Sequence, residues 1–172
     1  PEDAPSMDTV CGLGNMKNDA FNEVLKRDGV EVYPSTVALM QELRQKGYRV
    51  GVASSSKNCE AVLKAAGVLD LVETRVDGVV SAELGLKGKP EADIFTTAAA
   101  NLGCDPALSV VVEDAVSGVQ AGLKGNFGLV LGLAREENKQ ELLIGGADVV
   151  VEDIAEFGLA EMKLWFEKGL DK

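Results

Sequence analysis

The sequence contains no histidine. That excludes a His-ligated zinc centre, a Ser-His-Asp triad and a Cys-His nucleophile pair, and it leaves carboxylates, lysine, serine and cysteine to do chemistry. Cysteine is scarce as well. Cys11, Cys59 and Cys104 are odd in number, widely spaced and set among apolar residues, a pattern of reduced cytoplasmic thiols rather than of disulfides or a metal site. Basic residues are outnumbered, 17 against 28 acidic, for a formal charge of -11. Such a surface suits neither nucleic acid nor an anionic membrane, so an anionic ligand would need a local positive site. No apolar run approaches membrane-spanning length, and the amino-terminal residues show no signal-peptide pattern, low-complexity tract or repeat. What is present is ordinary for one globular domain: 172 residues, 46% hydrophobic and 26% charged.

The most informative stretch is Val110-Val111-Val112-Glu113-Asp114-Ala115-Val116-Ser117-Gly118. Three β-branched residues predict a strand buried on both faces, and the spacing of Val116, Val119 and Leu123 predicts a helix directly after it. In open parallel sheets ligands bind beyond the carboxyl ends of the strands, which is where Glu113 and Asp114 fall. Adjacent carboxylates repel unless a cation lies between them, and an all-oxygen donor set suits Mg²⁺. The plain alternative is that Asp114 only caps the helix and Glu113 is solvated.

Along the chain, residues 1–10 are polar and carry two prolines. Cys11-Gly12-Leu13-Gly14-Asn15-Met16-Lys17-Asn18-Asp19 reads as a Gly-rich loop entering a short helix that stops at Gly29; it is either a capping turn or a loop whose Lys17 and Asn18 reach a polyol. A helix over 34–47 would bury Val37, Met40 and Leu43. A strand over 48–53 ends in Ser54-Ser55-Ser56-Lys57-Asn58, where hydroxyls and free N–H groups at a helix start favour an oxyanion, although one Ser alone would serve as an N-cap. A strand is predicted over 72–80, and Pro90 at the first turn of the next helix places Lys89 at its entrance, as a phosphate contact or as a plain surface lysine. Strands over 128–132 and 147–151, a helix over 136–144 and a docked tail with Met162, Trp165 and Phe166 complete the chain. Strand and helix alternate throughout, which predicts an α/β, Rossmann-like, doubly wound parallel sheet in three layers.

Strand-Ser, then Lys-Pro, then strand-Glu-Asp with a Gly-containing helix resembles the second, third and fourth motifs of the haloacid dehalogenase superfamily. The form of residues 53–58, 88–95 and 112–118 is similar to its β-phosphoglucomutase-like subgroup and near phosphatase relatives. The resemblance implies that Ser54 holds the transferring phosphoryl oxygens, that Lys89 neutralises them and the nucleophile, and that Glu113 and Asp114 bind Mg²⁺. It also implies that Lys17, Asn18, Ser56 and Asn58 meet the sugar or second phosphate of a small-molecule sugar phosphate. The expected activity is that of a Mg²⁺-dependent phosphomutase working through an aspartyl-phosphate, with a sugar-phosphate phosphatase or a catalytically inactive sugar-phosphate-binding fragment as alternatives. A phosphoacceptor receiver domain needs its acid pair on the first strand, and the order here is wrong for it.

One departure stands out. The superfamily's first motif, a buried strand ending Asp-x-Asp, is missing: Asp8 follows a polar segment, and Asp77 has Arg75 where the first Asp belongs. The chain is therefore expected to be a carboxyl-terminal portion, with residues 1–30 the remnant of a helical cap and 31–172 a core lacking its first strand. It would be a monomer, or pair through the sheet edge left open.

Overall fold

The computed structural model describes residues 4–168. In chain order it contains α1 (Val10–Asp28), α2 (Pro34–Gln45), β1 (Gly51–Ala53), α3 (Cys59–Ala65), β2 (Thr74–Val76), α4 (Gly78–Leu84), α5 (Asp93–Leu102), β3 (Val110–Glu113), α6 (Val116–Lys124), β4 (Leu129–Leu133), α7 (Lys139–Gly145), β5 (Val149–Val151) and α8 (Leu159–Glu167). All strand pairing is parallel, as the alternation predicts, but it falls into two ladders: β1 with β2, and β3-β4-β5.

Strand β4 shows how the core is built. Leu129, Leu131 and Leu133 point into a cluster with Val151, Ile154 and Met162, flanked by Leu39 of α2 and by Trp165 and Phe166 of α8. Val130, one residue out of step, joins the opposite cluster with Val111, Val119, Leu142 and the α5 residues Ile94, Phe95, Ala98 and Ala99. This period of two puts helices on both faces of the sheet, hence three layers. The tail docks where the sequence places it, and the Trp165 indole donates to the Gly128 carbonyl at 2.9 Å.

Helix α5 packs on β1 and β2 and, through the shared core cluster, on Val111 of β3, so it bridges the two ladders. Between β1 and β3, each the last strand of its ladder, lies a cleft of about 1020 Å³ lined by both strands and by α2 and α5. The expectation of a β3 buried on both faces is corrected there: Val111 is buried while Val112 is 42% exposed. The α2 stripe is corrected for the same reason, since Val37, Met40 and Leu43 are only half-buried and Met40 and Leu43 line the cleft.

Two local readings are overturned. The Gly-rich segment is helix, not loop, because Thr9 upstream accepts from the Gly12 N–H at 2.9 Å and starts a 19-residue helix through both glycines, which ends at Gly29 as expected. The predicted strand over 72–80 stops at Val76, because Asp77 caps α4 by accepting from the N–H groups of Val79 and Val80, which draws two β-branched residues into a helix. Smaller shifts fall at Pro90, which precedes α5 without entering it, and at the predicted helix over 136–144, which begins at Lys139.

Candidate active site

The acids at the end of β3 are held differently from each other. Glu113 points back into the protein, its Oε1 paired with the Lys89 ammonium and its Oε2 accepting from the Ala115 N–H at 3.3 Å. The two side chains of that ion pair are only 14% and 9% exposed, so each charge depends on the other for compensation. The Phe95 ring, whose centroid is 4.9 Å from Lys89 Nζ, closes the third side. Gly118, in the first turn of α6, makes room for the pair: a Cβ there would run into the Glu113 carboxylate. Asp114 is exposed and caps nothing, since the residue before α6 is Ala115 and no side chain caps that helix. The capping alternative for Asp114 is thereby corrected, and its carboxylate is available for a ligand.

The hydroxyl loop lies at the end of β1. Ser54 Oγ accepts from the Ser56 N–H at 3.2 Å and Ser56 Oγ from the Asn58 N–H at 3.1 Å, so the run is a pair of serine turns. Neither hydroxyl caps α3, which starts after Asn58 without a side-chain cap. Burial pushes the Cys59 thiol above its usual pKa, against the opposing influence of Arg75 and of the Ser54 hydroxyl. Ser55 and Lys89 line one small pocket of about 180 Å³.

Of the residues singled out from sequence, the structure joins Lys89 to Glu113 directly, and Asn18 to Asn58 through a 2.7 Å hydrogen bond from Asn58 Nδ2 to Asn18 Oδ1. Lys17 is exposed on α1 and, among the described residues, pairs with no carboxylate. One residue of the site had no sequence signal. Asn138, before α7, donates through Nδ2 to the Asp114 carbonyl at 3.0 Å and steadies the acid-bearing loop; only a long-range contact map reveals such a partner.

Two carboxylates on consecutive residues, one of them free, supply the oxygen donors a hydrated Mg²⁺ takes, since that ion usually keeps several waters and needs one or two protein carboxylates. Among the described residues no group of three or more acidic or thiol side chains forms a fuller metal cage.

A family model described as a haloacid dehalogenase-like hydrolase matches residues 6–126. The chain belongs to the haloacid dehalogenase-like hydrolase family. Among curated relatives, a β-phosphoglucomutase of Mycobacterium tuberculosis is 42% identical over 159 residues, which are 91% of this chain and 61% of that protein. A trehalose-phosphate phosphatase of Mycobacterium leprae is 35% identical over 126 residues, 71% of this chain and 28% of that protein. In three dimensions the β-phosphoglucomutase of Clostridium difficile superposes with a TM-score of 0.78 over 95% of this chain and 69% of that one, at 22% identity, a likeness of fold. The chain thus spans about three fifths of the length of the mycobacterial mutase it matches. Three-layer architecture and parallel pairing agree with membership of this haloacid dehalogenase family.

Proposed function

We propose that this chain is the phosphate- and metal-binding part of a Mg²⁺-dependent sugar-phosphate phosphomutase of β-phosphoglucomutase type. The observation that carries the reading is the meeting of Lys89 and Glu113, from separate elements, in one shielded pair beside the free Asp114. Phosphoryl transfer asks mainly for positioning and for positive charge around the phosphoryl oxygens. An ammonium carries three donors; one is spent on Glu113, which leaves two for phosphate and fixes where they point. Ser54 and the N–H groups of its loop hold further oxygens. Glu113 and Asp114 would hold Mg²⁺, whose chemistry when bound is to neutralise charge on the phosphoryl oxygens. Asn58, Asn18, Ser56 and Lys17 would meet the sugar or its second phosphate.

The aspartate that takes the phosphoryl group lies on a strand outside these residues. The cleft between β1 and β3 supports that reading, because each strand presents unpaired backbone groups there and Val112 is open to it. Residues 1–30 then form a remnant of the cap and 31–172 the core lacking its first strand. Exposed apolar side chains on α1, among them Leu13, Phe21 and Val24, fit a helix that packs against more of the cap. Three free thiols fit a reducing cytoplasm.

A second reading, a sugar-phosphate phosphatase using the same residues, is favoured by the similarity to the mycobacterial trehalose-phosphate phosphatase. The two differ in whether a sugar hydroxyl or water accepts the phosphoryl group. Product analysis of the intact enzyme on β-glucose 1-phosphate with Mg²⁺ separates them. Accumulation of glucose 6-phosphate supports the mutase, whereas stoichiometric release of glucose and inorganic phosphate overturns it in favour of the phosphatase. Turnover of neither kind leaves the sugar-phosphate-binding alternative.

A further inference from the structure

Asp77, the cap of α4, is the charged side chain that the described core buries completely. Its Oδ1 accepts from the N–H groups of Val79 at 3.0 Å and Val80 at 3.1 Å, and its Oδ2 pairs with the Arg75 guanidinium. A helix cap needs no guanidinium; a buried carboxylate does. The other arm of Arg75 crosses to α3, where Nη2 meets Glu60 Oε2 at 2.8 Å. Glu60 is the second residue of that helix, immediately after the Ser54–Asn58 loop, and is steadied by Lys64 one turn on.

The same turn touches the loop by its backbone. The Gly78 N–H donates to the Ser56 carbonyl at 3.1 Å, and the Ser54 N–H donates to the Val76 carbonyl at 3.0 Å. A Cβ on Gly78 would stand 2.6 Å from the Ser55 carbonyl oxygen and 3.0 Å from the Lys57 nitrogen, both backbone atoms that cannot swing aside. Only glycine allows this approach.

We infer that the Arg75-Val76-Asp77-Gly78 turn is a positioning device for the Ser54–Asn58 loop, gripping it by backbone at Gly78 and by the Arg75–Glu60 bridge at the start of α3. The inference rests on reading that loop as the phosphate contact. Arg75 and Asp77 touch no substrate; they fix the place of the groups that do. A rigid loop spares the ligand the entropy of ordering it, so loosening the grip weakens anion binding while the acid pair at the end of β3 is left intact.

The test uses residues 1–172 with two variants. Arg75→Gln removes both ion pairs, and Glu60→Gln, a near-isosteric change at a half-exposed position, removes only the bridge. In the ligand-free chain, amide exchange at Ser54 and Gly78 should quicken at least about tenfold in Arg75→Gln and about threefold in Glu60→Gln, with the amides of β3, β4 and β5 unchanged. The Kd for inorganic phosphate should rise about fivefold or more in Arg75→Gln, while the Mg²⁺-induced shifts at Glu113 and Asp114 stay as in the parent. Unchanged exchange at Ser54 and Gly78 in both variants overturns the inference, as does acceleration spread evenly over β3, β4 and β5 in Glu60→Gln. The phosphate reading fails separately: if Ser54→Ala leaves the phosphate Kd unaltered, the loop is no phosphate contact, whatever the ligand-free exchange shows.

Discussion

The two ladders carry different halves of the candidate site and are built to different degrees. β4 is buried at every residue, paired on both sides and covered by helices on both faces, so the acids at the end of its neighbour β3 stand on a finished scaffold. β1 has three residues, none fully buried, and one partner; the hydroxyl loop beyond it is steadied instead by backbone bonds with Val76 and Gly78, by the Arg75–Glu60 bridge at the start of α3 and by the side chain of Asn18. β3 also has one partner and an open edge, but its partner is the wholly buried β4, whereas β1 leans on β2, itself only three residues long, so local polar contacts set more of the geometry at β1. The proposed metal half of the candidate site is therefore positioned mainly through β4 and the core, and the proposed phosphate half by a network at the rim of a cleft.

The sharpest test of that contrast on chemistry is Asp114→Ala. Asp114 is exposed and supports no helix, so the variant of the intact enzyme should keep its fold and lose Mg²⁺-dependent turnover. A wild-type kcat at saturating Mg²⁺ would remove Asp114 from the metal site. Next in size is Lys89→Ala, which should lower kcat by about two to three decades, the usual cost of losing one preorganised electrostatic donor. A change confined to KM would mean that Lys89 binds the ground state only.

Stability sharpens the same comparison. Leu131, wholly buried in β4, should cost about 2–5 kcal/mol on truncation to Ala, measured by denaturant unfolding, whereas Val52→Ala in half-buried β1 should cost well under half as much. Equal losses would show that the two ladders are one cooperative scaffold of uniform density. The smallest effect is expected at the sugar end, where Asn58→Ala should raise KM and alter preference among hexose phosphates at nearly constant kcat.

Most of the fold was readable from the sequence, and each exception has its own physical cause. Ser54, Glu113 and Asp114 stand out because strand ends can be found from short apolar runs, and in a parallel α/β sheet strand ends are where sites form, whereas Lys89 follows helix α4 and is marked in the sequence only by Pro90. Gly12 and Gly14 mislead because a cap at Thr9, upstream of both, outweighs their low helix propensity. Val79 and Val80 mislead because Asp77 caps a helix that their β-branched side chains do not favour. Burial of α2 and Val112 is over-read because periodicity shows which face is apolar but not whether anything covers it. The contact of Asn58 with Asn18, 40 residues away, and that of Asn138 with Asp114 have no local signature at all.

As proposed, these residues hold phosphate, metal and sugar while the nucleophile comes from a strand in the cleft. Ser54 is unsuited to replace that nucleophile, because its hydroxyl oxygen accepts from the Ser56 amide and the sequence has no histidine to activate it. The most direct measurement is the initial rate with β-glucose 1-phosphate and other hexose phosphates, using purified residues 1–172 in saturating Mg²⁺ and checked by mass spectrometry for co-purified fragments. No mutase or phosphatase turnover above background is expected, together with weak binding of Mg²⁺ and inorganic phosphate; robust turnover by this chain alone would place the nucleophile within these residues and overturn the proposal.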